Sequence, residues 1–280
     1  MRPLLVVDAD SFAHRAYHAL PKTMRRGDGG PAGLLIGLFN ALVRLWEEEQ
    51  PRTIVTCWDT LTSPTYRHLE LPAYQGGREF DQELLEQLAL APTLADRIGF
   101  AVAKGAGYEA DDFVAASVAF EEARGGTALV ASGDRDMYQL VSEQTTVLQP
   151  QRGGGPFARI DPDGVRERYR VDPAQVPDFI ALRGDPSDKI PGARGVGEKT
   201  AADLLRRYGT LEAAIADGRF EAEAEALRLY RRIATMDRTA PLPPFDDGPP
   251  HWGRGADLAH EWGLGGVEGK LRGLEASSSS

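Results

Sequence analysis

The sequence predicts an α/β fold in which a mainly parallel central sheet is flanked by helices. Unbroken apolar runs at residues 4–7, 53–58 and 127–132 are typical of short strands that are buried on both faces. Segments with apolar residues at spacings of three and four lie between these runs, and they indicate helices with one buried face. Alternation of strands and helices favours a parallel sheet.

The remaining elements follow from the same two patterns. Helices are predicted at residues 12–20, 34–46 and 81–98, with Pro92 as a kink or break in the last of them, and another helix starts near Ala110. Residues 100–103 and 145–149 are further strand candidates, and the composition becomes helical from about Asp161. After about Pro241, a segment rich in Pro and Gly indicates irregular packing followed by a flexible tail.

Composition excludes several classes of protein. With 280 residues, 42% of them hydrophobic, the chain can bury one large core or two smaller ones. No apolar run approaches the roughly 20 residues that span a bilayer, and the N-terminus lacks the apolar region of a signal peptide, so we expect a cytoplasmic protein without membrane contact. The single cysteine, Cys57, cannot form an intramolecular disulfide.

Residues 105–136 carry five carboxylates in a short stretch. Glu109, Asp111 and Asp112 lie at the predicted start of a helix, and Asp134 and Asp136 follow a predicted strand. Neighbouring carboxylates repel one another unless a cation offsets them, which favours a site for hard divalent metal ions. Acidic residues also complement the dipole of a first helical turn, and Asp-rich turns are common, so the stretch alone leaves both interpretations open.

Three predicted strands end at an aspartate. These residues are Asp8, Asp59 and Asp134. In an open parallel sheet the carboxyl ends of the strands share one edge, where ligands bind, so these residues are expected to converge with the start of the helix at 110. The net charge of −10 does not contradict an anionic substrate, because bound cations reverse the local field.

An irregular segment at residues 60–80 carries Arg67, His68, Tyr74 and Arg78. It is either an exposed loop or a segment that gathers substrate, since arginine recognises phosphate and tyrosine stacks on bases.

A second candidate site lies in the run GARGVGEKTA at residues 192–201. Its Gly-Val-Gly turn precedes a helix, so free N–H groups at the helix start point toward an anion. Lys199, Arg194, Arg206 and Arg207 add positive charge nearby. A helix-turn-helix packing unit accounts for the glycines but not for the basic residues, and we therefore favour binding of a phosphate backbone.

Taken in order, these motifs resemble those of the 5′-nuclease superfamily, which includes stand-alone 5′-exonucleases, flap endonucleases and the N-terminal domains of bacterial DNA polymerase I. The motifs are VVDAD at the N-terminus, Asp59, YEADD at 108–112, GDRDMYQL at 133–140, GDPSD at 184–188 and IPGARGVGEKTA at 190–201. The resemblance covers residues 4–240. It implies a PIN-like nuclease core at 1–160, a helical region with a helix-three-turn-helix motif at 161–240, and a C-terminal segment with a flexible tail at 241–280, in a stand-alone form.

The resemblance also implies a set of functional residues. The metal ligands for two Mg²⁺ or Mn²⁺ ions are Asp8, Asp59, Glu109, Asp111, Asp112, Asp134, Asp136, Asp185 and Asp188. Arg67 and Arg78 are implied to be catalytic, and the residues implied to bind DNA are Tyr74, Arg194, Gly195, Gly197, Lys199 and Thr200. K⁺ is a further candidate ligand of the helix-three-turn-helix motif.

The implied activity is hydrolysis of DNA phosphodiester bonds at 5′ ends, flaps or branches, leaving a 5′-phosphate and a 3′-hydroxyl. One position departs from the family pattern, because Gln75 stands where a lysine that faces the scissile phosphate is expected. Lys104 is a candidate substitute for that lysine. Two alternatives stay open: a structure-selective DNA-binding protein with weakened catalysis, and a PIN-like ribonuclease.

Overall fold

A six-stranded sheet forms the centre of the molecule. The computed structural model describes residues 2–77, 79–245 and 247–278. The strands are β1 (Leu4–Asp8), β2 (Thr53–Cys57), β3 (Ala101–Ala103), β4 (Ala128–Ala131), β5 (Thr145–Gln149) and β6 (Ala158–Ile160). Their order across the sheet is β3-β2-β1-β4-β5-β6, and all neighbours are parallel except the β5–β6 pair. The predicted fold class is therefore confirmed.

Helices cover both faces of the sheet and continue into the C-terminal half of the chain. They are α1 (Ala9–Ala19), α2 (Gly33–Glu49), α3 (Tyr66–Glu70), α4 (Gln82–Ile98), α5 (Ala110–Ala123), α6 (Pro162–Tyr169), α7 (Val176–Arg183), α8 (Glu198–Tyr208), α9 (Leu211–Ala216), α10 (Ala224–Ala234), α11 (Trp252–Glu261) and α12 (Gly265–Ser278). Short 3₁₀ turns occur at Asp136–Leu140, Arg152–Gly154 and Pro173–Gln175. No helix in the described ranges is long and apolar enough to cross a membrane.

Alternate residues of β1 supply two separate cores. Leu4 and Val6 belong to the core shared with α5, α7, α8 and α10, whereas Leu5 and Val7 belong to the core shared with α1, α2, α4, α11 and α12. All four side chains are fully buried. Complete burial of such a side chain stabilises the fold by about 1.5–3 kcal/mol, so β1 anchors both layers of helices.

The C-terminal segment differs from the expectation of irregular structure and a flexible tail. The described residues between 241 and 250 are irregular; Asp246 lies outside them. Helices α11 and α12 follow, and they pack on α4 and α2. Trp252, Ala256 and Leu271 are buried against the second core. The Pro- and Gly-rich composition concealed apolar residues at helical spacing, and burial of that face holds the segment in place.

Two further expectations need correction. Helix α4 runs through Pro92 without a break, because Ala91, Leu94 and Ala95 on either side are buried and hold the flanking turns. The sequence patterns also missed β6, a three-residue antiparallel edge strand that is too short to show a clear alternation.

Candidate active site

Acidic side chains line a large open cleft at the carboxyl edge of the sheet. The cleft has a volume of about 1020 Å³ and lies where β1, β2 and β4 end, beside the start of α5 and the turn after α7. Its acidic lining residues include Asp8, Asp10, Asp59, Glu109, Asp111, Asp134, Asp136, Asp185 and Asp188. Eight of the nine carboxylates that the sequence assigned to metal therefore share one cavity. The ninth, Asp112, does not line it.

The carboxyl end of β1 is connected directly to that of β4. Asp8 accepts hydrogen bonds from Ser11 N at 3.0 Å and from the Ser132 hydroxyl at 2.6 Å. Ser132 Oγ in turn accepts from Asp134 N at 2.9 Å. Because β1 and β4 are adjacent parallel strands, these contacts set the relative positions of Asp8 and Asp134 in the cleft.

Asp10 is a cleft residue that the sequence analysis did not assign. Its Oδ2 accepts a hydrogen bond of 2.8 Å from Asp59 N, and its side chain is nearly buried. Asp59 Oδ1 accepts from Ala110 N at 2.7 Å, so the contacts continue from α1 through the end of β2 to the start of α5. The sequence feature that could have identified Asp10 is its position two residues after Asp8, at the end of the same strand.

Glu109 is held by hydroxyl donors from the segment before α4. The Thr65 hydroxyl donates to Oε1 and the Tyr74 hydroxyl to Oε2, each at 3.0 Å. We expected Tyr74 to stack on a base. In the structure its ring is only 3% exposed and packs edge-on against His68. Tyr74 orients a carboxylate instead.

Burial and mutual repulsion raise the pKa values of the carboxyl groups in this cleft. Burial raises the pKa of Asp8 and of Glu109 to about 7, with repulsion from Asp59 adding to each shift. Burial also raises the pKa of Asp10 and of Asp111, again with contributions from neighbouring carboxylates. A hard cation bound between these groups would remove the repulsion, so the oxygen-only donor set fits Mg²⁺ or Mn²⁺ in its chemistry.

The other wall of the cleft comes from the turns after β4 and α7. Asp136 N donates to Asp134 Oδ1 at 2.8 Å, and Ser187 N donates to Asp185 Oδ1 at 2.8 Å. Arg183, which the sequence analysis also missed, lies 3.3 Å from Asp185 and over the rings of Tyr169 and Phe179. It lines the cleft together with Lys22 and Arg135.

The described carboxylates do not form a compact set of metal ligands. Among the described residues, no three His, Cys, Asp or Glu side chains are arranged so that they could hold one ion directly. Several of the oxygens are instead turned toward hydrogen-bond donors. Mg²⁺ keeps several of its waters in protein sites, so an open cleft of this kind suits ligands that contact the ion through water.

Arg67, expected to be catalytic, and Asp112, expected to bind metal, are paired with each other and do not line the cleft. Arg67 donates two hydrogen bonds of 2.7 Å to the two oxygens of Asp112 and one of 2.9 Å to Ile233 O. Arg67 is 3% exposed and Asp112 is 0% exposed. Asp112 also accepts from Glu109 N and Asp237 N. Its oxygens are fully used and Arg67 does not line the cleft, although the guanidinium lies 3.4 Å from Glu109 Oε2, so the pair supports Glu109 from behind.

Arg78, the second residue expected to be catalytic, lies outside the described residues. Gln75 lines the cleft, where its amide donates to Asp188 Oδ1 at 3.1 Å. Lys104, the candidate substitute for the family lysine, is exposed, and its charge acts on Asp10, which also lines the cleft.

The predicted DNA-binding turn is an exposed loop that leads into α8. Gly195 has a φ of 75°, and Gly197 is the N-cap of α8 without any side-chain cap. Arg194, Lys199 and Thr200 are exposed around it. The uncapped N–H groups and the nearby cations form a surface suited to a phosphate group.

Two family models match the chain. They are described as 5′-3′ exonuclease, N-terminal resolvase-like domain, over residues 3–170, and 5′-3′ exonuclease, C-terminal SAM fold, over residues 171–248. The chain belongs to the 5′-3′ exonuclease family. The recognition of this family from its ordered motifs is thus confirmed.

Individual relatives cover the chain to different extents. A 5′-3′ exonuclease of Streptomyces coelicolor is 34% identical over 293 residues, which cover 94% of this chain and 96% of the relative. DNA polymerase I of Mycobacterium tuberculosis is 38% identical over 214 residues, which cover 76% of this chain and 24% of the polymerase. The chain therefore spans about a quarter of that polymerase.

A solved structure shares the fold over the full length. It is the flap endonuclease of bacteriophage T5 in a pseudo-enzyme-product complex with DNA and metal ions. The TM-score is 0.69 at 18% identity, and the match covers 100% of both chains.

Proposed function

We propose that the chain is a metal-dependent 5′-nuclease that hydrolyses DNA phosphodiester bonds at 5′ ends, flaps or branches, leaving a 5′-phosphate and a 3′-hydroxyl. The observation that carries this proposal is the convergence of eight carboxylates in one cleft of about 1020 Å³. Family membership supports it, as do the DNA and metal ions bound in the phage T5 structure.

The carboxylates are proposed to hold two divalent ions, Mg²⁺ or Mn²⁺. Asp8, Asp59, Glu109 and Asp111 would hold one ion, and Asp134, Asp136, Asp185 and Asp188 would hold the other. When bound, such ions activate the attacking water and stabilise the charge of the displaced oxygen. The protein supplies no nucleophile in this proposal.

The chain's own residues orient these ligands. Asp10 fixes Asp59 through its backbone N–H, and Ser132 links Asp8 to the turn that carries Asp134. The hydroxyls of Thr65 and Tyr74 keep both oxygens of Glu109 in one orientation. Groups held in place before the substrate binds need no reorganisation during the reaction, which lowers its barrier.

DNA is proposed to bind through its backbone at the turn before α8. The N–H groups at the start of α8 and the side chains of Arg194, Lys199 and Thr200 would contact phosphates without reading the base sequence. A K⁺ ion at this turn and a cytoplasmic location stay predictions.

Cleavage of a labelled 5′-flap duplex and of its all-RNA counterpart, in Mg²⁺, Mn²⁺ or EDTA, tests the proposal. We expect metal-dependent cleavage of the DNA that Asp134→Asn abolishes. Asp96→Asn is the matched control, because Asp96 is exposed at the far end of α4 from the cleft. Binding of the flap without cleavage in any metal would favour a DNA-binding protein, and preferential cleavage of RNA would favour a ribonuclease.

A further inference from the structure

The chain crosses one rim of the cleft at residues 74–77 and packs there on the turn that follows Asp185. Gln75 N donates to Asp188 O at 3.2 Å, and the Gln75 side-chain amide donates to Asp188 Oδ1 at 3.1 Å and to the Tyr74 hydroxyl at 3.0 Å. Both hydrogens of the Gln75 amide are therefore used within the protein. Gln75 holds a carboxylate and is not available to a substrate phosphate.

Among the described residues, Lys189 brings a positive charge to this rim. Its ammonium lies beside the bare backbone of Gly76 and Gly77, since a Cβ atom at these positions would be 3.8 Å and 3.6 Å from Nζ. Lys189 is exposed and forms no ion pair with a carboxylate of the described residues. Gln75 lines both the acidic cleft and an adjoining cavity of about 370 Å³ that Gly76 and Gly77 also line. The ammonium thus lies beside the backbone of two residues that line the second cavity, next to the residue that lines both.

The backbone at Lys189 is unusual for a lysine. Lys189 has a φ of 56° and Gln75 a φ of 48°, and only five non-glycine residues in the described ranges have a positive φ. Two of the five therefore lie on the two segments that pack together at this rim. Glycine or asparagine adopts this conformation more readily than lysine does. Strained positions of this kind cluster at functional sites.

We propose that Lys189 contacts the substrate phosphate at the mouth of the cleft, and that Gln75 is a positioning residue that orients Asp188. The charge expected from a lysine at position 75 is thus carried by position 189, on the other of the two segments that make this contact. This inference rests on the proposed nuclease function and names the residue that receives the phosphate. Lys104, whose charge acts on Asp10, is the competing candidate for this charge.

Four variants test the proposal in single-turnover cleavage of a 5′-flap duplex with Mg²⁺. Lys189→Gln is expected to lower the rate by about a hundredfold, the lower end of the loss when one group aimed at developing charge is removed. Lys189→Arg is expected to retain most of the rate. The double variant Gln75→Lys with Lys189→Gln is expected to recover part of it, because the charge returns to the same rim. Lys104→Gln is expected to lower the rate less than Lys189→Gln does, and the opposite order would assign the charge to Lys104.

Lys270→Gln is the matched control, since Lys270 is exposed on α12, away from the cleft. Binding of the same duplex in EDTA, measured against salt, gives a readout without catalysis. Loss of one phosphate contact is expected to reduce the slope of log affinity against log salt by about one for Lys189→Gln and to leave it unchanged for Lys270→Gln.

Thermal unfolding separates a substrate contact from a structural role. Lys189→Gly is expected to unfold at the same or a higher temperature than the wild type, because glycine relieves the backbone, while it cleaves slowly. A wild-type rate and salt slope for Lys189→Gln would overturn the inference, as would a large loss of stability in Lys189→Gly. If the wild type itself cleaves no DNA, the proposed function fails, and the salt slope alone then decides whether Lys189 contacts phosphate.

Discussion

Replacing Asp8 with asparagine is expected to stabilise the metal-free protein at pH 8 while it abolishes cleavage. Asp8 is 4% exposed, and an asparagine keeps its contacts: the amide oxygen accepts from Ser11 N, and the amide nitrogen donates to Ser132 Oγ. The substitution therefore removes a buried negative charge with little change in shape.

The size of the effect follows from the raised pKa. Burial raises the pKa of Asp8 from 3.8 to about 7, which is about three units, and each unit corresponds to about 1.36 kcal/mol. Between pH 4 and pH 7 the folded protein binds more protons here than the unfolded chain, so the free energy of unfolding falls as the pH rises. The full penalty of about 4 kcal/mol is present at pH 8. We expect about 2–4 kcal/mol, since neighbouring carboxylates share protons.

Urea unfolding in EDTA at pH 5 and pH 8 measures this difference. Asp8→Asn should exceed the wild type in free energy of unfolding at pH 8 and by less than half as much at pH 5, whereas Asp96→Asn should have the same small effect at both values. Adding Mg²⁺ should stabilise the wild type more than Asp8→Asn. A metal-free Asp8→Asn protein that is less stable than the wild type at pH 8 would refute the reasoning.

Three further predictions concern other parts of the molecule. Arg67→Met should destabilise the protein by about 3–5 kcal/mol because Asp112 is left buried and unpaired, and a loss of cleavage at unchanged stability would instead make Arg67 a substrate contact. Lys199→Gln should weaken binding of duplexes of any sequence to a similar degree and lower the salt slope by about one, which titrations with two unrelated sequences would check. Gly192→Ala should cost more stability than Gly195→Ala in urea unfolding. Both glycines have a φ of 75°, but a Cβ at 192 would lie 2.4 Å from a backbone nitrogen and a Cβ at 195 meets open space.

The sequence predicted the elements whose burial pattern is regular. The strands that end near Asp8, Asp59 and Asp134 could be located because an apolar run buried on both faces is distinct from an amphipathic helix. Their convergence followed from the geometry of a parallel sheet. Family motifs then added Asp185 and Asp188, which local patterns alone would have left as turn residues.

The partners of individual side chains could not be predicted. Arg67 and Asp112 are separated by 45 positions and meet only because α3 packs against the start of α5. Tyrosine is a residue type that stacks on bases, yet the hydroxyl of Tyr74 donates a hydrogen bond to Glu109. Lys189 is adjacent in sequence to a predicted ligand, but its position beside Gly76 and Gly77 depends on a left-handed backbone conformation that no local pattern indicates.

The carboxylates of the cleft extend along the chain from Asp8 to Asp188, and the strand that carries Asp8 is in the middle of the sheet. During synthesis, a ribosome-bound chain that ends before residue 185 lacks one wall of the cleft however well its sheet has formed. A partly made or partly unfolded copy would therefore bind metal incompletely and leave DNA uncut. The distribution of the proposed ligands would couple the onset of cleavage to the completion of folding.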